Sequence, residues 1–202
     1  ARLHPPRLLK ERGLKPEWDN IDQEEVYDTI SNLLIDNPYC NHLVVSGGEP
    51  LMFQEKLFPL LQKLKAHFSS RDLKIEWETN GTYIPMGETD SITDYYDVSP
   101  KLMTFGGVPL QERIVISALK WFNNSPKAIF KFVVCNEIDV GELLALVPKV
   151  EMNHDKIWLM PEGDTDERIK ETGLICAEAC KKYGWMLSWR LQTPLWGTMR
   201  GV

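Results

Sequence analysis

The sequence predicts an α/β fold with a mainly parallel sheet, wrapped into an open sheet or a partial, open β/α barrel. Two observations predict it. Short apolar runs rich in β-branched and aromatic residues alternate with longer stretches whose apolar residues recur at helical spacing. Glycines and polar residues gather just after the short runs, at the strand ends where parallel α/β folds place their ligands.

The elements follow in order. IDQEEVYDTISNLLID (21–36) reads as a helix, with Asp19 or Asn20 as its cap and Val26, Ile30, Leu33 and Leu34 on one face. HLVVS (42–46) reads as a strand. QEKLFPLLQKLKAHF (54–68) spaces Leu57, Leu60, Leu61 and Leu64 as a helix does, with Pro59 in its first turns. DLKIEWET (72–79) alternates as a strand, and YYDVS (95–99) is a short one. LQERIVISALKWFNN (110–124) reads as one helix and AIFKFVV (128–134) as a strand. GELLALVPKV (141–150) reads as a helix bent or ended near Pro148, and KIWLM (156–160) as a strand. DERIKETGLICAEACKKYG (166–184) is a long helix with Gly184 as its C-cap, and MLSWRL (186–191) is the last strand. Six strands are fewer than a closed eight-stranded barrel needs.

Composition narrows the class. The 202 residues are 43% hydrophobic and 26% charged, ordinary for a globular protein with one sizeable core. A net charge of −6 argues against a nucleic-acid surface or a polybasic membrane anchor. No apolar run reaches the roughly 18 residues of a membrane span. The four cysteines, Cys40, Cys135, Cys176 and Cys180, form no disulfide framework, so a reducing cytoplasm is expected. No Walker motif or G-x-G-x-x-G is present, and His4, His42, His67 and His154 all fall away from the strand exits. That disfavours an α/β enzyme with a serine or cysteine nucleophile and a histidine base.

The strand exits carry the functional signal. Ser46-Gly47-Gly48-Glu49-Pro50 follows the first strand and Glu78-Thr79-Asn80-Gly81-Thr82 the second. Ser99-Pro100-Lys101 follows the third, Met160-Pro161-Glu162-Gly163 the strand at 156–160, and Arg190, Gln192 and Thr193 the last. Each is ordinary alone: Gly-Gly-x-Pro and Asn-Gly are common turns, and a single lysine is usually solvated. Together they predict a small-molecule site. Gly47 and Gly48 offer main chain at close range, Glu49 suits an α-ammonium group, and Asn80, Ser99 and Lys101 suit a carboxylate and hydroxyls. The set is complementary to an amino acid attached to a ribose.

With these stretches the chain resembles radical S-adenosylmethionine enzymes, and more narrowly the 7-carboxy-7-deazaguanine synthases of deazapurine (queuosine and archaeosine) biosynthesis. VVSGGEPLM, IEWETNGT, DVSPKL, FKFVV, WLMPEGDTDERI and SWRLQTPLWGTMRGV occur in that family's order, across residues 21 to 202. The resemblance implies a lyase converting 6-carboxy-5,6,7,8-tetrahydropterin to 7-carboxy-7-deazaguanine with loss of ammonia. It implies S-adenosylmethionine cleaved by a reduced [4Fe-4S] cluster, an assisting Mg²⁺, a reductant such as flavodoxin, and a homodimer. By analogy Gly47, Gly48, Glu49 and Pro50 hold the methionyl end. Asn80, Ser99 and Lys101 hold the ribose and carboxylate or the neighbouring substrate. Met160, Pro161, Glu162 and Gly163 line the adenine end, and Glu78, Thr79, Arg190, Gln192 and Thr193 contribute to the pterin site. The resemblance implies a single domain, with residues 19–202 as its core and residues 1–18 matching poorly.

One departure stands out. The family holds its cluster on three cysteines spaced Cys-x₃-Cys-x₂-Cys, or with a longer first gap, and this sequence has no such motif. Cys176-Ala-Glu-Ala-Cys180 has the first spacing but no third cysteine, and reads as two small, partly buried thiols in a helix. The family's own first strand, which would precede the strand at 42–46, the cluster loop and the threonine that binds magnesium are expected to lie outside this sequence, which starts at Ala1. The alternative is a cluster-free homologue that binds S-adenosylmethionine or a nucleoside without radical chemistry. An activase on the same scaffold is disfavoured by the RLQTPLWGTMRGV stretch.

Overall fold

The computed structural model describes residues 22–105 and 108–197. The strands are β1 (His42–Val45), β2 (Lys74–Thr79), β3 (Tyr95–Val98), β4 (Ala128–Val134), β5 (Ile157–Pro161) and β6 (Met186–Leu187). They take the order β1-β2-β3-β4-β5-β6, with β1 and β6 at the two ends, so the sheet is open as expected. Every strand pair with a described register is parallel. The chain divides into two compact units.

The first unit comprises, among the described residues, 22–78 and Pro85–Tyr95. It holds α1 (Gln23–Asp36), β1, α2 (Gln54–His67), most of β2 and α3 (Gly87–Ile92). Leu34, Leu60, Leu64, Phe68 and Leu73 form a buried cluster, with Val26, Tyr27, Ile30 and Leu43 packed against it. Each fully buried leucine or phenylalanine contributes about 1.5–3 kcal/mol of transfer free energy. The face predicted for α1 is narrower than expected, because Leu33 is exposed while Leu34 is buried. The cap of α1 is Asp22, whose side chain accepts the Glu24 N–H at 3.3 Å; Asp19 and Asn20 lie outside the described residues. Pro59 lies inside α2, which the buried face of Leu60, Leu61 and Leu64 sustains despite the missing donor. The sequence reading had no counterpart for α3.

Asp94, just before β3, ties this unit together. Its Oδ2 accepts Lys65 Nζ at 2.5 Å and the Ile75 N–H at 2.9 Å. Burial alone would raise this carboxyl, but the Lys65 and Ile75 hydrogen bonds and the Lys65 and Lys74 charges outweigh it and hold the group below its ordinary value of 3.8. Asp94 therefore binds protons more readily unfolded than folded. Its stabilisation is complete above the ordinary value and is lost as pH falls through the lower folded one. Asp94→Asn is expected to lower stability at neutral pH and to flatten the acid limb of a denaturation curve measured against pH. An acid limb as steep as in the unaltered protein would contradict this.

The second unit comprises Thr79–Ile84 and the described residues from 96 onward. It contains α4 (Leu110–Arg113), α5 (Ile116–Asn124), α6 (Glu137–Val150), α7 (Asp166–Tyr183) and α8 (Gln192–Trp196), with β3 to β6 running in chain order. Its interior is dense in large apolar groups: Tyr96, Val98, Leu119, Phe122, Phe130, Phe132, Leu143 and Leu159 are all essentially inaccessible. Alternation along β4 and β5 buries every second residue, as a strand with one face inward requires.

Four expectations are corrected in this unit. The helix predicted over 110–124 is two, because Ile114 and Val115 take extended backbone angles between α4 and α5. Both are β-branched, and such residues accept an extended backbone readily. The helix predicted from 141 starts at Glu137, capped by Asn136, whose side chain accepts the Ile138 N–H at 2.9 Å. Pro148 does not end it; two further residues remain helical, and Glu151 closes it in the left-handed conformation. The strand predicted over 186–191 is only Met186–Leu187. Trp189 turns its ring across Gly173 of α7, and residues 192–196 coil into α8, so Gln192 and Thr193 start a helix rather than end a strand. Gly184 caps α7 at φ +74°, as read from the sequence.

Candidate functional site

The first unit contributes the turn after β1. The β1–β2 register sets Val45 beside Trp77, which brings the next pair together: Ser46 Oγ donates to Glu78 Oε2 at 2.7 Å. The chain then leaves β1 through Gly47 at φ +106° and Gly48 at φ +61°. A Cβ added at either glycine would meet no atom within 4 Å. These glycines therefore clear space beside the main chain in a conformation that other residues rarely adopt. Glu49 is only 7% exposed, and its Oε1 accepts the Leu51 N–H at 3.1 Å, capping the 3₁₀ turn Pro50–Phe53. The open, glycine-lined main chain beside a buried carboxylate fits the methionyl group of S-adenosylmethionine. One neighbour escaped the sequence reading: Gln54, buried at the start of α2, accepts the Met86 N–H on Oε1 at 2.7 Å.

The second unit brings several of the remaining candidates together. Thr79 Oγ1 accepts the Gly81 N–H at 3.1 Å, and Asn80 Oδ1 accepts the Thr82 N–H and hydroxyl at 2.9 and 2.6 Å. The Ser99 N–H donates to the Thr79 carbonyl at 2.7 Å, so Thr79-Asn80 and Ser99-Pro100-Lys101 lie side by side. Gly81 sits at φ +77°, where a Cβ would come within 2.8 Å of Leu119 and Val98. The Lys101 side chain is exposed, and its carbonyl accepts Arg113 Nη1 at 2.7 Å.

The segment after β5 joins the C-terminal candidates. The Glu162 N–H donates to the Val134 carbonyl at 3.0 Å, and its carboxylate accepts Arg168 Nε at 2.9 Å. Arg168 Nη2 reaches on to the Cys135 carbonyl at 3.0 Å. The flanking Glu171 and Glu162 carboxylates hold the Arg168 guanidinium even more firmly protonated than usual. Arg190 Nη1 donates to the Gly163 carbonyl at 2.9 Å, while its buried Nε has no partner among the described residues. Met160 and Pro161 end β5, and Pro161 and Gly163 are buried. Thr193 is buried in α8, its N–H on the Arg190 carbonyl; Gln192 is exposed.

The cysteines do not fit an iron–sulfur cluster. Cys176 and Cys180 lie on the buried face of α7, as the sequence predicted. Burial pushes the Cys176 thiol up to about 12 and raises Cys180 as well, whereas cluster ligands are thiolates. Cys135, partly buried after β4, is also raised by burial, and Cys40 is exposed beside β1. Among the described residues, no three or more histidine, cysteine, aspartate or glutamate side chains are grouped to hold a metal ion. Cys176→Ala with Cys180→Ala is therefore expected to leave iron and acid-labile sulfide content after anaerobic reconstitution unchanged. A loss of iron in that variant would contradict the assignment. None of the helices among the described residues is long and apolar enough to cross a membrane.

No protein-family model matches the chain. Sequence comparison does. The 7-carboxy-7-deazaguanine synthase of Pyrobaculum aerophilum is 36% identical over 189 residues, which cover 93% of this chain and 80% of that protein. The chain belongs to the 7-carboxy-7-deazaguanine synthase family. Two further 7-carboxy-7-deazaguanine synthases agree. That of Hyperthermus butylicus is 30% identical over 59% of this chain and 48% of its own length. That of Rhodopirellula baltica is 26% identical over 89% and 71%. As the motifs implied, a 7-carboxy-7-deazaguanine synthase is a radical S-adenosylmethionine enzyme.

Proposed function

We propose that this chain is a radical S-adenosylmethionine lyase that forms 7-carboxy-7-deazaguanine from 6-carboxy-5,6,7,8-tetrahydropterin with loss of ammonia. The observation that carries the proposal is the Gly47-Gly48 turn, open beside its main chain and backed by the buried Glu49, in a chain 36% identical to a 7-carboxy-7-deazaguanine synthase. Residues 19–202 serve as one functional domain, and the protein works in the cytoplasm.

The chemistry contributed by S-adenosylmethionine, when bound, is hydrogen-atom abstraction from the substrate. Gly47 and Gly48 admit the methionyl group to the main chain, and Pro50 fixes the turn behind it. Glu49 offers its carboxylate to the α-ammonium while capping the turn. Asn80 and Ser99, tied through Thr79, offer polar groups to ribose hydroxyls, and Lys101 offers a cation to a carboxylate. Met160, Pro161, Glu162 and Gly163 serve the adenine end. Glu78, Thr79, Arg190, Gln192 and Thr193 serve the pterin. The Arg190 guanidinium, with an unpartnered Nε beside its bond to Gly163, suits the substrate carboxylate. A flavodoxin-type reductant, Mg²⁺ and a homodimeric state complete the reading, with cluster ligands other than Cys40, Cys135, Cys176 and Cys180.

A second reading is favoured by the cysteines alone: a cluster-free homologue that binds S-adenosylmethionine without radical chemistry. The test is anaerobic incubation of reconstituted protein with the pterin, S-adenosylmethionine and a reductant, followed by mass spectrometry. The lyase reading expects 7-carboxy-7-deazaguanine only when S-adenosylmethionine is present. A folded, iron-free protein that binds S-adenosylmethionine and yields no product would overturn it in favour of the second.

A further inference from the structure

Three side chains outside the predicted site converge on the loop that follows Lys101. Arg113, the last residue of α4, donates Nη1 to the Lys101 carbonyl at 2.7 Å and Nη2 to Glu142 Oε1 at 2.6 Å. Glu142, on α6, uses its other oxygen for the Met103 N–H at 2.6 Å. One turn earlier on α6, Asp139 Oδ2 accepts the Thr104 hydroxyl at 2.5 Å and the Cys135 N–H at 2.8 Å, and Oδ1 accepts the Thr104 N–H at 3.3 Å.

This is more than a surface ion pair. The Arg113 and Glu142 side chains are only 9% and 19% exposed, and Asp139 is fully buried. Exposed pairs contribute little, whereas charges withdrawn from water must be matched by well-placed partners. Every partner named lies either in the loop 101–104, at the exit of β4, or within the group itself. The group also accounts for the break after α4: Arg113 ends its helix where its guanidinium can reach the loop. Glycine and proline, the usual helix breakers, are absent from the break itself.

We propose that Arg113, Glu142 and Asp139 form a clamp of positioning residues. It fixes the loop from Lys101 to Thr104, directly after Ser99 and Pro100, so that ligand binding does not have to order it. The proposal rests on the assignment of Ser99 and Lys101 to the S-adenosylmethionine site.

The test compares Glu142→Ala, Glu142→Gln, Asp139→Asn and Lys101→Met with the unaltered protein, using two readouts. One is hydrogen–deuterium exchange at the Met103 and Thr104 amides. The other is affinity for S-adenosylmethionine, followed by titration. Glu142→Ala is expected to speed Met103 exchange and to weaken S-adenosylmethionine binding, each by about tenfold or more, the size of a lost charged hydrogen bond. Glu142→Gln keeps an acceptor for Met103 and should restore part of both. Asp139→Asn should act most strongly at Thr104. Loss of a clamp with only a stabilising role would leave affinity untouched in molecules that remain folded.

If Glu142→Ala leaves Met103 exchange unchanged, the clamp is overturned. If exchange rises and affinity holds while Lys101→Met weakens binding, the positioning role is overturned and the Lys101 assignment stands. If Lys101→Met is neutral but Glu142→Ala weakens binding, the clamp is supported through the loop main chain and only the role of the Lys101 side chain falls. If neither variant alters affinity, both fall.

Discussion

Replacing Gly48 with valine is expected to weaken S-adenosylmethionine binding at least about tenfold, a change of about 1.4 kcal/mol, while the protein still folds. Gly48 sits at φ +61° with open space where its side chain would stand. A β-branched residue there would cost about 1–3 kcal/mol in backbone strain. Its Cβ would meet no atom within 4 Å, so the main-chain neighbourhood is not overpacked at that atom. What it would fill is the open space beside the main chain, where the methionyl group is proposed to sit. The two effects separate in a pair of measurements: a urea denaturation curve shifted modestly, and a ligand titration shifted strongly. Wild-type affinity in a folded Gly48→Val variant would remove the turn from the cofactor site.

Gly81→Ala is expected to do the reverse, with stability as the main loss. Gly81 is also left-handed, at φ +77°, but its missing Cβ would stand 2.8 Å from Leu119 Cδ2 and Val98 Cγ1. Both neighbours are buried in the second unit and have little room to move. Strain of about 1–3 kcal/mol and overpacking of similar size together predict a loss of about 2–5 kcal/mol. Chemical denaturation of the purified variant would read it directly. A loss below about 1 kcal/mol would mean that Leu119 and Val98 yield more easily than close-packed interiors do. Two glycines in similar conformations are thus assigned opposite duties by what surrounds them.

Much of the fold was legible because its signals are local. The alternation in β2 and β4, the leucine spacing of α2 and the Gly184 cap each follow from residues a few positions apart. The errors came where distant partners decide. Ile114 and Val115 break a helix that their neighbours would continue, because Arg113 is engaged by Lys101 and Glu142. MLSWRL alternates well enough for a strand, yet Trp189 finds its place over Gly173 and pulls the chain out of the sheet. In the candidate site, glycines and prolines marked the turns, so Gly47, Gly48, Gly81 and Gly163 could be named from the sequence. Asp139, Glu142, Arg113 and Arg168 could not. Each is an unremarkable charge in a helical stretch, and only contacts 6 to 39 positions away give it a role. The low solvent exposure of Asp139, at the start of a helix where acids are usually solvated, is visible only in three dimensions.

The cysteines test the family assignment from another side. A 36% identical relative fixes the family, yet the buried Cys176 and Cys180 are poor cluster ligands for the same reason they pack well: burial opposes the thiolate. The cofactor contact proposed at the glycine turn involves neither thiol, and S-adenosylmethionine binding there can be measured without iron.

That separation selects the most direct measurement, a ¹H–¹⁵N titration of the folded protein with S-adenosylmethionine, following the Gly47 and Gly48 amides. Both resonances are expected to shift in a saturable way, and the shifts to vanish in Gly48→Val. Amides of Gly47 and Gly48 that stay fixed up to millimolar ligand would contradict it, and the turn after β1 would be a turn and nothing more.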